Sequence, residues 1–474
     1  MQALGSFMNI SSNIPISKHG QLSIDELGQM LRNGTLQCEE LTRAVLLDIE
    51  SRNPHLGAFI RTTDKRAIVE ASRAQRELDS GLDRGPLHGI PYAVKDLFNI
   101  EGQINSAGTP LLDEHIAQTD ATVIKRLTQA GAVLVGQTHT SPLAATILGI
   151  NHAHGTPHNP WKEEAYLPGG SSSGSAVAVT AGLVPFSLGT DTGGSVRVPA
   201  ALCGVVGLKP TVGSIDMEGV WPLAPGLDSI GTFTRSVQDA ACVYATLRNM
   251  PIISPDNIEG LRIGICENIF FDDAQSEVEV AVQKSASVLE NLGAKLIPVT
   301  LPEVNNLHAL ACETSLIASE GYPLHKELIE NPQSDWVVHW LKVAKDYSEN
   351  QLAQARKQQA ELAHKLTHFT QSLNALLVPT TPIVAPRLSS CESPESHSTM
   401  SALLSRNTLI GNLAGWCGLS LPCAISKNGL PVGLMIYAAA RNEMIAIHIA
   451  QAFESASDWT VNNITPPFSY RASL

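Results

Sequence analysis

Two Gly/Ser-rich turns lie close together in this chain and hold most of its candidate nucleophiles. The first is Gly169-Gly170-Ser171-Ser172-Ser173-Gly174-Ser175, the second Asp191-Thr192-Gly193-Gly194-Ser195. Between them run the helix-like, Ala/Val-rich Ala176 to Gly182 and the apolar, strand-like Val184 to Leu188. The second turn reads as an interruption of a strand-like run, where glycine is unfavourable unless the backbone must do something unusual. Two such turns flanking one short α–β unit point to an anion or oxyanion pocket of backbone amides with hydroxyl nucleophiles in it. Upstream, Gly89-Ile90-Pro91-Tyr92-Ala93-Val94-Lys95-Asp96 sets a lysine at the end of an apolar strand. That setting fits a buried lysine, and burial disfavours the ammonium form.

These residues carry a resemblance. The paired glycines before the serine run, Asp-Thr-Gly-Gly-Ser, Arg197, Pro199, Cys203-Gly204 and Gly207-Leu208-Lys209-Pro210-Thr211 resemble the amidase signature family, serine hydrolases that cleave amides. The Gly89–Asp96 block matches a second family motif. The likeness runs from the N-terminal helices to the end of the chain and thins between about Ile258 and Asn374.

An amide is a poor electrophile with a poor leaving group. Its hydrolysis needs an activated nucleophile, a stabiliser for the oxyanion and an acid for the leaving nitrogen. The resemblance implies a Ser–Ser–Lys triad for these tasks: Ser195 as nucleophile, Ser171 as the bridging serine after a cis peptide, Lys95 as the base. The backbone amides of Thr192, Gly193, Gly194 and Ser195 would form the oxyanion hole. Ser172 is a supporting hydroxyl. Asp191 and Arg197 flank the nucleophile, either as an ion pair that orients the loop or with Arg197 binding a substrate carboxylate; the ion pair is the reading adopted. Singly, each serine reads as a turn or cap hydroxyl and Lys95 as a strand-end charge. Their joint occurrence in matching contexts reverses that.

Two other motifs compete. Gly170-Ser171-Ser172-Ser173-Gly174 satisfies the G-x-S-x-G nucleophile elbow with Ser172 at its centre, but the elbow needs a preceding strand and Glu163 to Pro168 makes a poor one. His139, His152, His154 and His158 crowd into a Gly/Asn/Pro-rich segment whose spacing follows no zinc pattern, so no metal is expected. The chemistry calls for no cofactor. Gln137 to Ala144 is where the chain departs from the family's usual pattern, close to where its substrates bind.

Composition bounds the rest. The 474 residues carry 32 Lys+Arg against 45 Asp+Glu, a net charge of −13. That balance disfavours a nucleic-acid backbone or an anionic membrane as direct partner. No apolar run approaches the ~20 residues of a membrane span, and the first twenty residues lack the basic and apolar regions of a signal peptide. Eight scattered cysteines without a CxxC motif read as buried thiols in a reducing cytoplasm.

The elements that must position these residues follow a βα alternation. Ser23 with Glu26 makes a capping box, Leu41 to Ile49 continues a helical stripe until Asn53-Pro54, and Ala67 to Leu78 marks a third helix closed by Gly81. Asp120 to Ala130 reads as helix and Ala132 to Val135 as strand. The expectation is an α/β fold, a mixed, mostly parallel sheet between helices. Residues 305–370 read as a helical excursion over the pocket, Pro386 to Met400 as a mobile Ser/Pro loop, and Leu419–Ile425 with Val432–Tyr437 as a hairpin. Glu443 to Glu454 closes the fold as a helix. The chain reads as one amidase domain over 1–474, with a signature core at about 85–250 and C-terminal strands and helix at 375–460.

The expected activity is hydrolysis of a small carboxylic amide through an acyl-enzyme, releasing ammonia or an amine; a homodimer is compatible with it. Two alternatives share the fold: the A subunit of glutamyl-tRNA amidotransferase, against which the poor match over Asn305–Phe369 counts, and an inactive binding protein, against which the intact Lys95, Ser171 and Ser195 count.

Overall fold

The computed structural model describes residues 16–251, 257–457 and 466–467. The reading of the extreme N-terminus as free of a signal peptide therefore falls, for residues 1–15, outside the described residues, as do 458–460 of the expected C-terminal region.

Eleven strands form one sheet among the described residues: β1 Phe59–Thr62, β2 Pro91–Lys95, β3 Val133–Thr138, β4 Phe186–Asp191, β5 Val206–Lys209, β6 Ser229–Thr234, β7 Arg262–Cys266, β8 Lys295–Val299, β9 Ala375–Pro379, β10 Cys417–Ile425 and β11 Pro431–Ala438. Their order is β1-β3-β2-β4-β6-β5-β10-β11-β9-β7-β8. Helices surround them. The N-terminal four are α1 Ile24–Arg32, α2 Cys38–Leu56, α3 Asp64–Asp79 and α4 Thr122–Gln129. Around the two glycine-rich turns lie α5 Ser173–Thr180 and α6 Arg197–Cys203, followed by α7 Val237–Arg248 and α8 Ser276–Asn291. The excursion is α9 Pro302–Thr314, α10 Leu316–Glu330, a 3₁₀ turn at Trp336–Ala344 and α11 Glu349–Thr370; α12 Pro394–Leu413 and α13 Glu443–Ala456 complete the set.

The fold is α/β and the sheet is mixed, as expected, but it is not mostly parallel. β2 pairs in parallel with β3 and β4, and β7 with β8 and β9. The other six pairings are antiparallel and include the whole central block β4-β6-β5-β10-β11-β9. Local alternation of helix and strand signals reports which segments are strands, not which neighbour each one finds. Every residue of β2, β3, β4, β5 and β6 is buried, as in strands covered on both faces.

Local chemistry accounts for the helix starts. Ser23 Oγ accepts from the Glu26 amide at 3.1 Å while Glu26 Oε2 accepts from the Ser23 amide at 2.8 Å, the capping box read from sequence. Helix α2 does not stop at Asn53-Pro54: Pro54 lies inside its last turn, and Gly57, at φ 60°, ends it. The Pro386–Met400 stretch is not a loop throughout. A 3₁₀ turn occupies Leu388–Cys391, and Ser393 and Ser396 cap α12 reciprocally with Pro394 at the first helical position. The 419–437 hairpin forms as expected, β10 against β11. The second glycine-rich turn does not interrupt a strand; it ends β4 and leads into α6.

Candidate active site

The carboxyl ends of β2 and β4 lie side by side. Lys95 is the last residue of β2, and Thr190 and Asp191 are the last two of β4. The Gly170–Ser171 peptide is cis and delivers Ser171 to the turn that opens α5. Lys95 Nζ lies 2.7 Å from Ser171 Oγ and 2.9 Å from Thr190 Oγ1, all of it buried. Burial pushes the lysine down to about 7, opposed by the negative charges of Asp228 and Asp191. Thr190 is invisible as a site residue in the sequence, because nothing but the fold brings it to the lysine.

The two turns meet. The Ser172 amide donates to the Ser195 carbonyl at 3.3 Å. Ser172 Oγ donates to the Thr190 carbonyl at 3.2 Å and accepts from the Thr190 amide at 3.3 Å. Its hydroxyl is thus engaged on both sides and fully buried. Residues 159–172 form no strand beyond an isolated bridge at Tyr166, so the strand–turn–helix context of a nucleophile elbow is missing. The Ser171 carbonyl accepts from the Ser141 amide at 3.2 Å and Thr140 Oγ1 at 3.1 Å. The Gly170 amide donates to the Ile147 carbonyl at 2.6 Å. Thr140, Ser141 and Ile147 therefore cradle the first turn.

Asp191 organises the second turn. Its Oδ1 accepts from the Gly194 amide at 2.9 Å, Arg197 Nη2 at 2.8 Å and Asn412 Nδ2 at 2.9 Å. Its Oδ2 accepts from the Val196 amide at 3.1 Å and Arg197 Nε at 3.0 Å. Although burial opposes the charge, Arg197 holds this carboxylate well below the usual range. Arg197 is fully buried, and each of its nitrogens has an acceptor: besides Asp191, Nη1 donates to the Thr408 carbonyl at 2.9 Å and Tyr437 Oη at 2.8 Å, and Nη2 to Asn412 Oδ1. The guanidinium is committed to the loop, which favours the orienting ion pair over a substrate carboxylate. Asn412, Thr408 and Tyr437 come from α12 and β11, more than two hundred residues away, and leave no sequence signal.

Of the four amides expected to form an oxyanion hole, that of Gly194 donates to Asp191 Oδ1 at 2.9 Å. Thr408 Oγ1 donates to the Gly193 carbonyl at 2.7 Å and steadies the same loop. Above Gly193 stand Ile317 of α10 and Leu409 of α12; a Cβ there would lie 3.3 Å and 3.6 Å from their Cδ1 atoms.

The histidines of 139–158 do not converge. His152 Nδ1 lies 2.9 Å from Asp335 Oδ1, His158 Nε2 lies 2.7 Å from the Lys162 carbonyl, and His139 packs edge-on to His154 with ring centres 6.4 Å apart. Burial pushes His139 down to about 3, so it is neutral. Among the described residues no group of three or more His, Cys, Asp or Glu is placed to hold a metal ion. All eight cysteines are free. No helix among the described residues is long and apolar enough to cross a membrane.

The family model Amidase matches residues 40–445. Among curated relatives, the 2-amino-5-chloromuconic acid deaminase of Comamonas testosteroni is 34% identical over 437 residues, covering 89% of this chain and 94% of that one. The A subunit of the glutamyl-tRNA(Gln) amidotransferase of Myxococcus xanthus (strain DK1622) is 34% identical over 482 residues, covering 92% and 98%. The crystal structure of peptide amidase from Stenotrophomonas maltophilia superposes with a TM-score of 0.81 at 30% identity, over 96% of this chain and all of that one. With the family model matching most of its length and relatives at this identity spanning nearly all of it, the chain belongs to the amidase signature family, hydrolases of amide C–N bonds.

Proposed function

We propose that the protein hydrolyses a small carboxylic amide through an acyl-enzyme on Ser195, releasing ammonia or an amine. The observation that carries this reading is the buried pair Lys95–Ser171 at 2.7 Å, with the lysine held near 7. In the neutral state Lys95 takes the proton of Ser171 as Ser171 takes that of Ser195, and Ser195 Oγ attacks the carbonyl carbon. The amides of Thr192, Gly193 and Ser195 receive the oxyanion. The same proton path runs backwards to the amide nitrogen, the C–N bond breaks, and water then cleaves the ester. Ser172, Asp191 and Arg197 hold the two turns that this path crosses. The single sheet argues for one catalytic unit, with α9 to α11 as its cover. The absence of a membrane-spanning helix among the described residues and the free thiols support a cytoplasmic enzyme.

A second reading, the ammonia-generating component of a tRNA-dependent amidotransferase, is favoured by the identity to the Myxococcus xanthus protein. Ammonia release from a panel of aliphatic, aromatic and dicarboxylic amides by the purified chain tests the first reading. Activity that appears only with glutamine and a co-purifying partner protein would replace it by the second.

A further inference from the structure

Asp228 immediately precedes β6 and is 3% exposed, and no step of the proposed mechanism uses it. Its Oδ1 accepts from Thr192 Oγ1 at 2.6 Å. Its Oδ2 accepts from the amides of Leu223 at 2.9 Å and Ala224 at 3.0 Å. The next residue, Ser229, donates its Oγ to the Asp191 carbonyl at 3.1 Å. A trans peptide is planar and its C=O and N–H point in opposite directions. Fixing the Asp191 carbonyl on one side and the Thr192 side chain on the other therefore fixes where the Thr192 amide points.

The far anchor of Asp228 is itself braced. His325 Nε2 of α10 lies 2.7 Å from the Pro222 carbonyl, and its ring stacks on Trp221 with centres 5.5 Å apart. Glu320 of the same helix accepts from the Gly226 amide at 2.8 Å. Helix α10 also places Ile317 over Gly193. The helical cover thus meets the oxyanion loop twice, once directly and once through Asp228.

We propose that Asp228 is a positioning residue: through Thr192 Oγ1 it ties the oxyanion loop to the 221–226 segment beneath α10 and aims the Thr192 amide at the oxyanion. The inference rests on the proposed function. A preorganised amide acts only on the developing charge, so its loss lowers kcat and leaves KM alone.

Thr192→Val removes the hydroxyl, keeps the volume and leaves the Asp228 carboxylate beside Lys95 in place. We expect kcat for amide hydrolysis to fall about 10- to 100-fold, comparable to or somewhat less than loss of an oxyanion donor. KM and the acid limb of the pH–rate profile stay where they are, and Thr192→Ser recovers most of the rate. Asp228→Asn also removes a charge that raises the Lys95 pKa, so its acid limb should move to lower pH; on the plateau above that limb kcat should fall alike, and the double variant should fall no further than the worse single one, because both break the same link to the loop. It also supplies the reading if Thr192→Val does not fold. Wild-type kcat in Thr192→Val, a rise in KM alone, failure of Thr192→Ser to recover, or full additivity each overturns the proposal. Fluorophosphonate labelling that is lost in Ser195→Ala keeps these outcomes separate from failure of the Ser195 reading.

Discussion

Lys95 Nζ stands 2.7 Å from Ser171 Oγ, across 76 residues of sequence, and neither side chain reaches solvent. Thr190 Oγ1 holds the same nitrogen at 2.9 Å from the neighbouring strand. An ammonium in this place loses its hydration and recovers only part of it from two hydroxyls. Two buried carboxylates, Asp228 and Asp191, keep the pKa from falling further. The amine is thereby poised close to neutrality, where a general base is most effective.

Activity should therefore rise with pH along an acid limb with a midpoint near 7 that reports Lys95. Lys95→Ala should lose the base, and Lys95→Arg should do no better, since a guanidinium stays protonated throughout the range. A pH–rate profile of the wild type beside acylation rates of both variants is the check. Acylation by Lys95→Arg at wild-type speed would reduce Lys95 to a fixed charge.

Ser195→Ala should abolish amide hydrolysis, by several orders of magnitude, with the fold intact. Ser172→Ala should retain measurable turnover, because its hydroxyl braces the Thr190 backbone rather than facing the reaction. Circular dichroism and ammonia release on both proteins decide the matter. The opposite pattern would restore the nucleophile-elbow reading.

The Asp191–Arg197 pair is buried on both sides, and breaking such a pair leaves an uncompensated charge. Arg197→Met should lower unfolding stability by about 3–5 kcal/mol. Arg197→Lys should not recover it, because an ammonium cannot reach Asp191, Thr408, Tyr437 and Asn412 together. Denaturant midpoints measure both. An unchanged midpoint in Arg197→Met would mean the pair contributes little to the loop.

Much of this arrangement is legible in the sequence where the signal is local. Ser23 and Glu26 announce their capping box, the Leu419–Tyr437 segment its hairpin, and the motif residues Lys95, Ser171 and Ser195 their turns. Pro386–Met400 reads as a loop although Ser393-Pro394 is a helix start, because Ser and Pro also mark loops. The strand partners are not legible: β5 has only four residues, β6 is Gly/Ser/Thr-rich, and pairing antiparallel in mid-sheet is decided by long-range packing. Thr190, Thr408, Asn412, Tyr437 and Asp228 escape for the same reason. Each acts on a residue it meets only in the folded chain, and none sits in a motif of its own.

Gly193 and Gly194 should respond differently to alanine. Gly194 has φ 134°, and a Cβ there would run into Thr408 Oγ1, whose bond to the Gly193 carbonyl secures the loop. Gly194→Ala should fold poorly or lose activity altogether. At Gly193 the same Cβ lies 3.3 Å from Ile317 Cδ1 and 3.6 Å from Leu409 Cδ1, contacts that side-chain shifts relieve. Gly193→Ala should fold normally and lose activity most for amides with bulky acyl groups. Thermal melts and a substrate series test the pair, and equal melting losses in both would contradict the argument.

The same lysine makes a prediction about stability, with a sign opposite to that of an ion-paired group. An unfolded lysine titrates near ~10.4, the folded Lys95 at about 7. Between those values the unfolded chain binds a proton that the folded chain does not, so stability rises with pH across this window. Relative to an unshifted lysine, keeping Lys95 in its site costs about 4–5 kcal/mol at pH 7 and little at pH 10. Lys95→Met removes that term and leaves Ser171 Oγ and Thr190 Oγ1 each short of one partner, about 1–3 kcal/mol apiece at most. The inactive variant should lie within about 2–3 kcal/mol of the wild type at pH 7 and lose stability relative to it as the pH rises to 10. Lys209, the other buried lysine among the described residues, held down to about 8 by its burial, titrates in both proteins and cancels in the difference. Denaturant unfolding of both from pH 7 to 10 gives the difference curve. Two parallel curves would mean that Lys95 is charged in the resting fold, and with that the base assigned to Ser171 would be lost.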